Sequence, residues 1–420
     1  MSGAICMLVH GPFPVAEPRV TREARAALAA GYEVDVVCLR RPREPRRERL
    51  EGIDIYRLPL EHVRGRGFWA AAREYLGFTA LAAAELAALA RRRRYLVVQV
   101  HNPPDFLLLA ALPAKLLVGS RLLFDVHDLA PDLFAERFGA GPAGLAALIL
   151  AACERLALRL SDAVVTVHEP YARELRARGA RRVAVVMNSV DPQLLPPPAA
   201  APAPGFRVVY HGTVTPWYGL DLLLEAAARI VPELPELSVD VYGDGDALPA
   251  LREQASRFGL DGTVRFHPGW LPQREVLELV RSASAGVIPN RPSRLNRYAL
   301  SSKLLEYVEL GVPVAAAGLP TLREHFDDDE VLFFRPGDAG ALADALLAIA
   351  RDPEAARRRA DAARRRARTY AWGESAARYV RLLDELAARP AGPSKERPQR
   401  VRARRLWASR RSDARRRSGQ

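Results

Sequence analysis

Short apolar runs rich in Val, Ile and Leu alternate with longer stretches of helical period along the chain. The runs 4-AICMLV-9, 33-EVDVVCL-39, 96-LVVQV-100, 121-RLLFDV-126, 163-AVVTV-167 and 183-VAVVM-187 predict strands. Stretches such as 20-VTREARAALAA-30 and 78-FTALAAAELAALA-90 predict helices between them. The Pro-rich, aperiodic segment 192–205 reads as a linker. Beyond it the pattern restarts, with strands expected at 206–210, 237–242, 263–266, 285–289, 312–316 and 331–334. Such alternation implies parallel sheets covered by helices on both faces. The expected fold class is α/β, with two Rossmann-like doubly wound domains facing across a cleft. Their spans are 1–191 and 206–371, followed by a helix at 372–388 and a basic tail, 389–420, expected to be disordered. A chain of 420 residues suits two cores better than one.

Composition changes this picture at one place. The formal charge of +13 invites a nucleic-acid reading, but residues 390–420 hold eleven Lys/Arg against two Asp/Glu. That leaves a body near neutrality and a basic arm suited to anionic lipid, to RNA or simply to water, and no specific nucleic-acid partner is expected. Only Lys115, Lys303 and Lys395 are lysines, so a Lys kept in this Arg-rich chain is informative. Three cysteines without a C-x-x-C pair read as free thiols of a reducing compartment. With no leader pattern and no apolar run of about 20 residues, the expected location is cytoplasmic, with peripheral attachment to the inner membrane face left open.

In open α/β sheets ligands sit at the carboxyl ends of the strands. Six histidines fall there: His10, His101, His127, His168, His211 and His267, often beside Gly, Asn or Asp. Together they mark a polar site between the domains. Asp125, His127 and Asp128 have metal-ligating chemistry, but no pair has the helical spacing of a zinc site, and no metal is expected. The most specific stretch is 301-SSKLLEYVELGVPV-314. It reads as a helix with Ser301 or Ser302 as its cap and Gly311 just past its end. Its first turn suits phosphate, through unsatisfied amides and the Lys303 ammonium. Glu306, one turn on, suits ribose hydroxyls. A second phosphate candidate is the loop and helix start after 210-YHGT-213, near Gly219.

On these motifs the chain resembles the retaining glycosyltransferases of GT-B architecture, in the large bacterial family 4. The resemblance covers residues 1 to 388 and rests on an ordered set: Gly11 after the first strand, 125-DVHD-128, 187-MNSVD-191, 211-HGT-213 with YGLD to 221, 242-YGDGD-246 and 303-KLLEYVELGVPV-314. It implies an N-terminal acceptor domain and a C-terminal donor domain, with a last helix crossing back. Donor contacts are implied for Gly11, Gly212, Thr213, Tyr218, Gly243, Trp270, Asn290, Arg297, Ser302 and Leu304. The acceptor side is implied to hold Asp128, His101 and Asn188. Catalytic roles are implied for His127 at the transferred sugar, Lys303 at the diphosphate and Glu306 at the ribose. The substrates implied are a nucleotide sugar and a glycan or lipid-linked acceptor, with no cofactor.

The chain departs from the family at Tyr298, where the first Glu of an E-x7-E pair is common, and at Thr213 and Tyr218, where cations are common. Lys303, with Arg294 or Arg297, is the expected replacement. Other GT-B chemistries (a sugar-nucleotide epimerase, a phosphorylase) and a non-catalytic binding protein remain open at this point. The donor base and the acceptor are not readable. The apolar-then-basic stretch 78–94 fits a membrane-resting helix and a buried helix with an Arg cap equally well.

Overall fold

The computed structural model describes residues 3–15, 17–60, 67–138, 143–197, 205–269 and 271–388. The basic tail, most of the Pro-rich segment and Trp270 therefore lie outside the described residues.

The first domain is built on β1 (Ala4–Val9), β2 (Glu33–Leu39), β3 (Arg47–Leu50), β4 (Ile53–Leu58), β5 (Tyr95–His101), β6 (Arg121–Val126), β7 (Ala163–Thr166) and β8 (Val183–Val185). They form one sheet in the order β3-β4-β2-β1-β5-β6-β7-β8, parallel except for β3. Alternation along β1 shows why both faces are covered. Ala4, Cys6 and Leu8 enter one core, with the helix Phe68–Ala90, while Ile5, Met7 and Val9 enter another, with the helices Pro18–Ala29 and Trp372–Ala388.

The second domain holds β9 (Phe206–His211), β10 (Leu237–Tyr242), β11 (Val264–His267), β12 (Ala285–Ile288), β13 (Val314–Ala317) and β14 (Leu332–Phe334). Their order is β11-β10-β9-β12-β13-β14, all parallel. All twelve expected strands are present. The sequence reading missed β3 and β4. Every residue of β3 is exposed, so it carries no apolar pattern, and β4 contains a buried Arg57 whose charge is met by Glu44 and Glu48.

Both sheets reverse their strand order at a central pair, β1/β5 and β9/β12. Loops leaving these pairs diverge and open a crevice at the carboxyl edge. There lie His10-Gly11, His101-Asn102, His211-Gly212 and Pro289-Asn290. The last helix returns to the first domain: Tyr379, Leu382, Leu383 and Leu386 are buried in the core beside Pro18–Ala29, and the Tyr379 hydroxyl donates to Gln99 Oε1 (2.5 Å).

Candidate functional site

A cavity of about 190 Å³ lies between the two carboxyl edges. The first domain lines it with Glu17, Arg19, Arg22, His127 and Asn188, the second with Gln273, Ser302 and Glu306. Four residues expected from sequence thus meet in one space: His127, Asn188, Ser302 and Glu306.

The second-domain wall is the helix Ser302–Glu309. Ser301 occupies the cap position but makes no side-chain cap bond, which corrects the capping expectation. The Leu304 amide donates to Ser301 O (3.1 Å) and its side chain is buried in the core, so neither faces a ligand. Lys303 is buried, with its ammonium 4.6 Å from the centre of the Tyr218 ring and 5.3 Å from that of Tyr210. Among the described residues no carboxylate lies within ion-pair distance of it. Burial lowers its pKa to about 8, with Glu306 opposing the shift. Gly212, at φ 105°, brings backbone close: a Cβ there would sit 3.4 Å from Lys303 Nζ. Gly243 (φ 141°) packs against the Gly212 carbonyl, where a Cβ would lie 1.9 Å away. Glycine is therefore required there for loop packing. The Thr213 carbonyl accepts from the Tyr210 hydroxyl (2.6 Å).

Glu306 accepts from Gln273 Nε2 (2.8 Å) and lies 3.3 Å from His211 Nε2. Burial raises its pKa against the pull of Gln273, Lys303 and Arg22. Burial, with Lys303 nearby, lowers His211 to about 3, so that ring is neutral.

The first-domain wall is a dense ionic network. Arg19 donates to both oxygens of Asp125 (2.8 and 2.9 Å) and to Val186 O (2.7 Å), and lies 3.1 Å from Glu23. His101 Nδ1 lies 2.9 Å from Asp125, and Gln99 donates to Glu23 (2.6 Å). Burial alone would raise the Asp125 carboxyl, but Arg19 and His101 hold it well below the usual range. His101 thus stands behind the cavity wall and does not line it. The ligand atoms of His101, Asp125 and His127 lie within 4.8 Å of one another, a spacing that suits a metal. Arg19 already occupies both Asp125 oxygens, and a guanidinium there disfavours a second cation.

Asn102 holds the His127–Asp128 loop. Its Oδ1 accepts from the amides of His127 (3.0 Å) and Asp128 (3.3 Å), and its Nδ2 donates to Asp105 (2.8 Å) and Asp128 O (2.6 Å). Burial lowers the His127 pKa against Asp125 and Asp128, which keeps the ring neutral. Arg22 donates to Asn188 Oδ1 (3.0 Å) and lies over Trp372. Burial, with Arg19 beside it, lowers its pKa to about 10, so it remains charged.

Several expectations need correction. Gly11 does not face an open space: a Cβ there would lie 1.8 Å from Glu17 Oε1, so the glycine makes room for that carboxylate. Burial raises Glu17 to about 7. Arg297 is exposed, lying over the Tyr298 ring, and Arg294 pairs with Asp132 (3.1 Å), so neither replaces a diphosphate cation. Asn290 is buried and donates to Asn296 (3.3 Å), tying one loop to the next. Of the six strand-end histidines, only His127 lines the cavity. The cavity-lining cations that the sequence reading did not single out are Arg19 and Arg22, both from the first domain. Their signal was 17-EPRVTRE-23, where Arg19, Arg22 and Glu23 share a helix face with buried Val20.

Residues 16–190 match the family model described as "Glycosyl transferase 4-like domain", and residues 205–352 match "Glycosyl transferases group 1". Glycogen synthase of Mycobacterium tuberculosis is 28% identical over 220 residues, which are 51% of this chain and 52% of that protein. The chain spans about half the length of the curated relatives it matches. Sucrose-phosphate synthase from Thermosynechococcus elongatus superposes with a TM-score of 0.75 at 20% identity, covering 91% of this chain and 99% of that one. HepE from Anabaena, solved in complex with UDP-glucose, has a TM-score of 0.66 at 15% identity over 91% and 99%. The two matched segments follow each other along one chain and correspond to its two sheets, and the chain belongs to the GT-B glycosyltransferases of the family 4 type.

Proposed function

We propose that this chain transfers a sugar from a nucleoside diphosphate to an acceptor hydroxyl, with retention at the anomeric carbon and no metal in the step. The observation that carries the reading is Lys303: a buried ammonium without a carboxylate partner among the described residues, at the first turn of a helix beside Gly212. A cation so placed requires an anion, and the diphosphate of a nucleotide sugar supplies one. The UDP-glucose in the HepE structure supports a donor of this class.

In this reading Lys303 and the helix-start amides before Leu304 hold the diphosphate, and Glu306, kept in place by Gln273, accepts from the ribose hydroxyls. Breaking the glycosyl bond builds negative charge on the diphosphate, and preorganised donors there are the largest available catalytic contribution. Arg22 lines the cavity that Ser302 and Glu306 also line, and supplements Lys303, buried beside them, in place of the cations absent at Thr213 and Tyr218. His127, neutral and fixed through Asn102, orients the sugar. The acceptor then attacks the face that the diphosphate leaves, and the diphosphate takes its proton.

The cavity is smaller than the roughly 300–1,000 Å³ usual for ligand sites, so donor entry requires the domains to part. The pairs that bridge them beside the cleft, Arg173–Glu324 and Arg294–Asp132, each have an exposed arginine and cost little to break. Lys303→Ala and Glu306→Ala should each lower turnover of the preferred donor by about tenfold or more. A thermal-shift screen of nucleotide sugars selects that donor, and wild-type rates in both variants would sink the assignment.

A further inference from the structure

One layer of the first domain has an inverted surface. The helices Phe68–Ala90, Leu112–Val118 and Ala143–Leu160, with the turn Asp105–Ala111, cover a single face of the sheet. Their inner sides build the core. Their outer sides should be polar, and are not. Among the described residues, ten of the fourteen exposed large apolar side chains lie on this layer, against two in the whole second domain. Trp69 is 81% exposed, Leu116 83%, Leu145 74% and Leu148 69%. On Ala143–Leu160 the exposed Leu145, Leu148, Ile149, Ala152 and Leu156 recur at three- and four-residue spacing, which is one helical face. On Phe68–Ala90 the exposed face runs Trp69, Arg73, Leu76, Ala80, Ala84. A monomer in water rarely shows so large a continuous apolar surface.

Charge on this layer is sorted by sign. Its acids turn inward and are paired: Glu74 lies 3.0 Å from His10, Glu85 3.4 Å from Arg47, Glu154 2.9 Å from Arg178, and Asp105 is buried against Asn102. The exposed charges are arginines, with Arg73 within the layer and Arg91, Arg92, Arg155 and Arg159 at its ends. Apolar ridges with a tryptophan, a cationic rim and no exposed acid complement an anionic bilayer surface, where rings and aliphatic chains enter the headgroup boundary and arginines meet lipid phosphate. No helix among the described residues is long and apolar enough to cross a membrane.

We infer that this helical layer is a docking surface for anionic lipid bilayers, with the body of the protein lying on the membrane through Trp69, Leu116, Leu145, Leu148 and Ile149. The surface includes no residue of the basic tail and does not depend on the transferase reading. It does reach the cleft: Glu74, on a docking helix, holds His10, the residue before Gly11.

The test is flotation of the full chain with phosphatidylcholine vesicles, with and without phosphatidylglycerol, at low and high salt. The wild type should float with anionic vesicles and be released by salt. Leu116→Glu/Leu148→Glu/Ile149→Glu should lower the bound fraction by about tenfold or more while keeping the circular dichroism and nucleotide thermal shift of the wild type. Should that variant misfold, Arg155→Gln/Arg159→Gln, wholly on the surface, should still weaken binding to anionic vesicles. A parallel full-length variant with the tail arginines from Arg400 to Arg417 changed to Gln separates the two basic elements. Loss of binding in the tail variant with retention in the apolar variant would overturn the inference. So would a wild type that ignores anionic vesicles, or apolar substitutions that only convert a sedimenting dimer to a monomer.

Discussion

Behind the two sides of the cavity, the domains treat buried charge in opposite ways. Behind the first-domain wall the network is matched: Arg19 by Asp125 and Glu23, Asp125 also by His101, Glu23 also by Gln99, while Arg22 at the cavity itself has, among the described residues, only the neutral Asn188 and the Trp372 ring. Behind the second-domain wall, not lining it, Lys303 rests on two aromatic rings with no carboxylate within ion-pair distance among the described residues. A matched network gains nothing from a ligand and holds shape. An unmatched cation carries a folding cost that only an anion relieves. In the proposed function the Arg19–Asp125 network is therefore scaffold, and Lys303, with Arg22 across the cavity, is the anion-binding element.

The largest effect expected from breaking this contrast falls on the scaffold. Asp125→Asn removes one partner from a buried pair and leaves Arg19 without its bidentate acceptor. Such a change costs about 3–5 kcal/mol. Denaturant unfolding should show that loss, and a stability within about 1 kcal/mol of wild type would mean that Glu23 alone matches Arg19.

Lys303→Met should do the reverse. Its folded pKa of about 8, against an ordinary 10.5, means that keeping the buried ammonium charged costs roughly 3 kcal/mol at neutral pH. The unfolded chain holds that proton up to 10.5 and the folded chain only up to about 8. The penalty is thus full below pH 8 and fades as pH rises toward 10.5. Lys303→Met should therefore melt higher than wild type at pH 7, lose that advantage toward pH 10, and lack donor-induced stabilisation throughout. A variant that melts lower at pH 7 would show Lys303 to be part of the scaffold.

The same residue sets a smaller, purely kinetic effect. Free enzyme loses the Lys303 proton near pH 8, so kcat/KM for the donor should fall on an alkaline limb centred there. Lys303→Arg, charged at all working pH values, should remove the limb even if its peak rate is lower. An unchanged limb assigns the titration to another group.

What was legible in the sequence divides along the same line. The helix at Ser302–Glu309, its Gly311 terminus and the strand-end positions of the histidines follow from local rules, although Ser301 makes no cap bond and only His127 of those histidines lines the cavity. The first-domain side was not readable, because its meaning is tertiary. Arg19 and Arg22 sit among many arginines, and only the fold brings Asp125 and Asn188, more than a hundred residues away, against them. Asn102 was visible as a polar strand-end residue, but nothing local says that it clamps the His127 loop. Arg297 failed for the complementary reason: its spacing was right, yet its short helix, Arg294–Tyr298, turns it to solvent. Strands β3 and β4 failed because edge exposure and an internally paired arginine erase the apolar pattern.

The smallest expected effect tests a residue that belongs to neither wall. Tyr298 holds the position where the first Glu of an E-x7-E pair is common in the family that the chain resembles. Its hydroxyl donates to Glu174 Oε2 (3.0 Å) on the first domain, and its ring lies edge-on to Tyr171. Glu174 keeps a second partner, Arg178 (2.8 Å), so loss of the hydroxyl strands no buried acceptor. Tyr298→Phe should therefore cost less than about 1 kcal/mol of stability. A tie between domains and a hydrogen bond to donor make different kinetic demands. If the hydroxyl bonded the donor in the transition state, its removal would lower kcat and kcat/KM together by about tenfold or more. If it only ties together domains that must part to admit donor, its removal should leave both within about fivefold. Steady-state rates of Tyr298→Phe decide between them, and a tenfold common loss would place this tyrosine among the donor contacts.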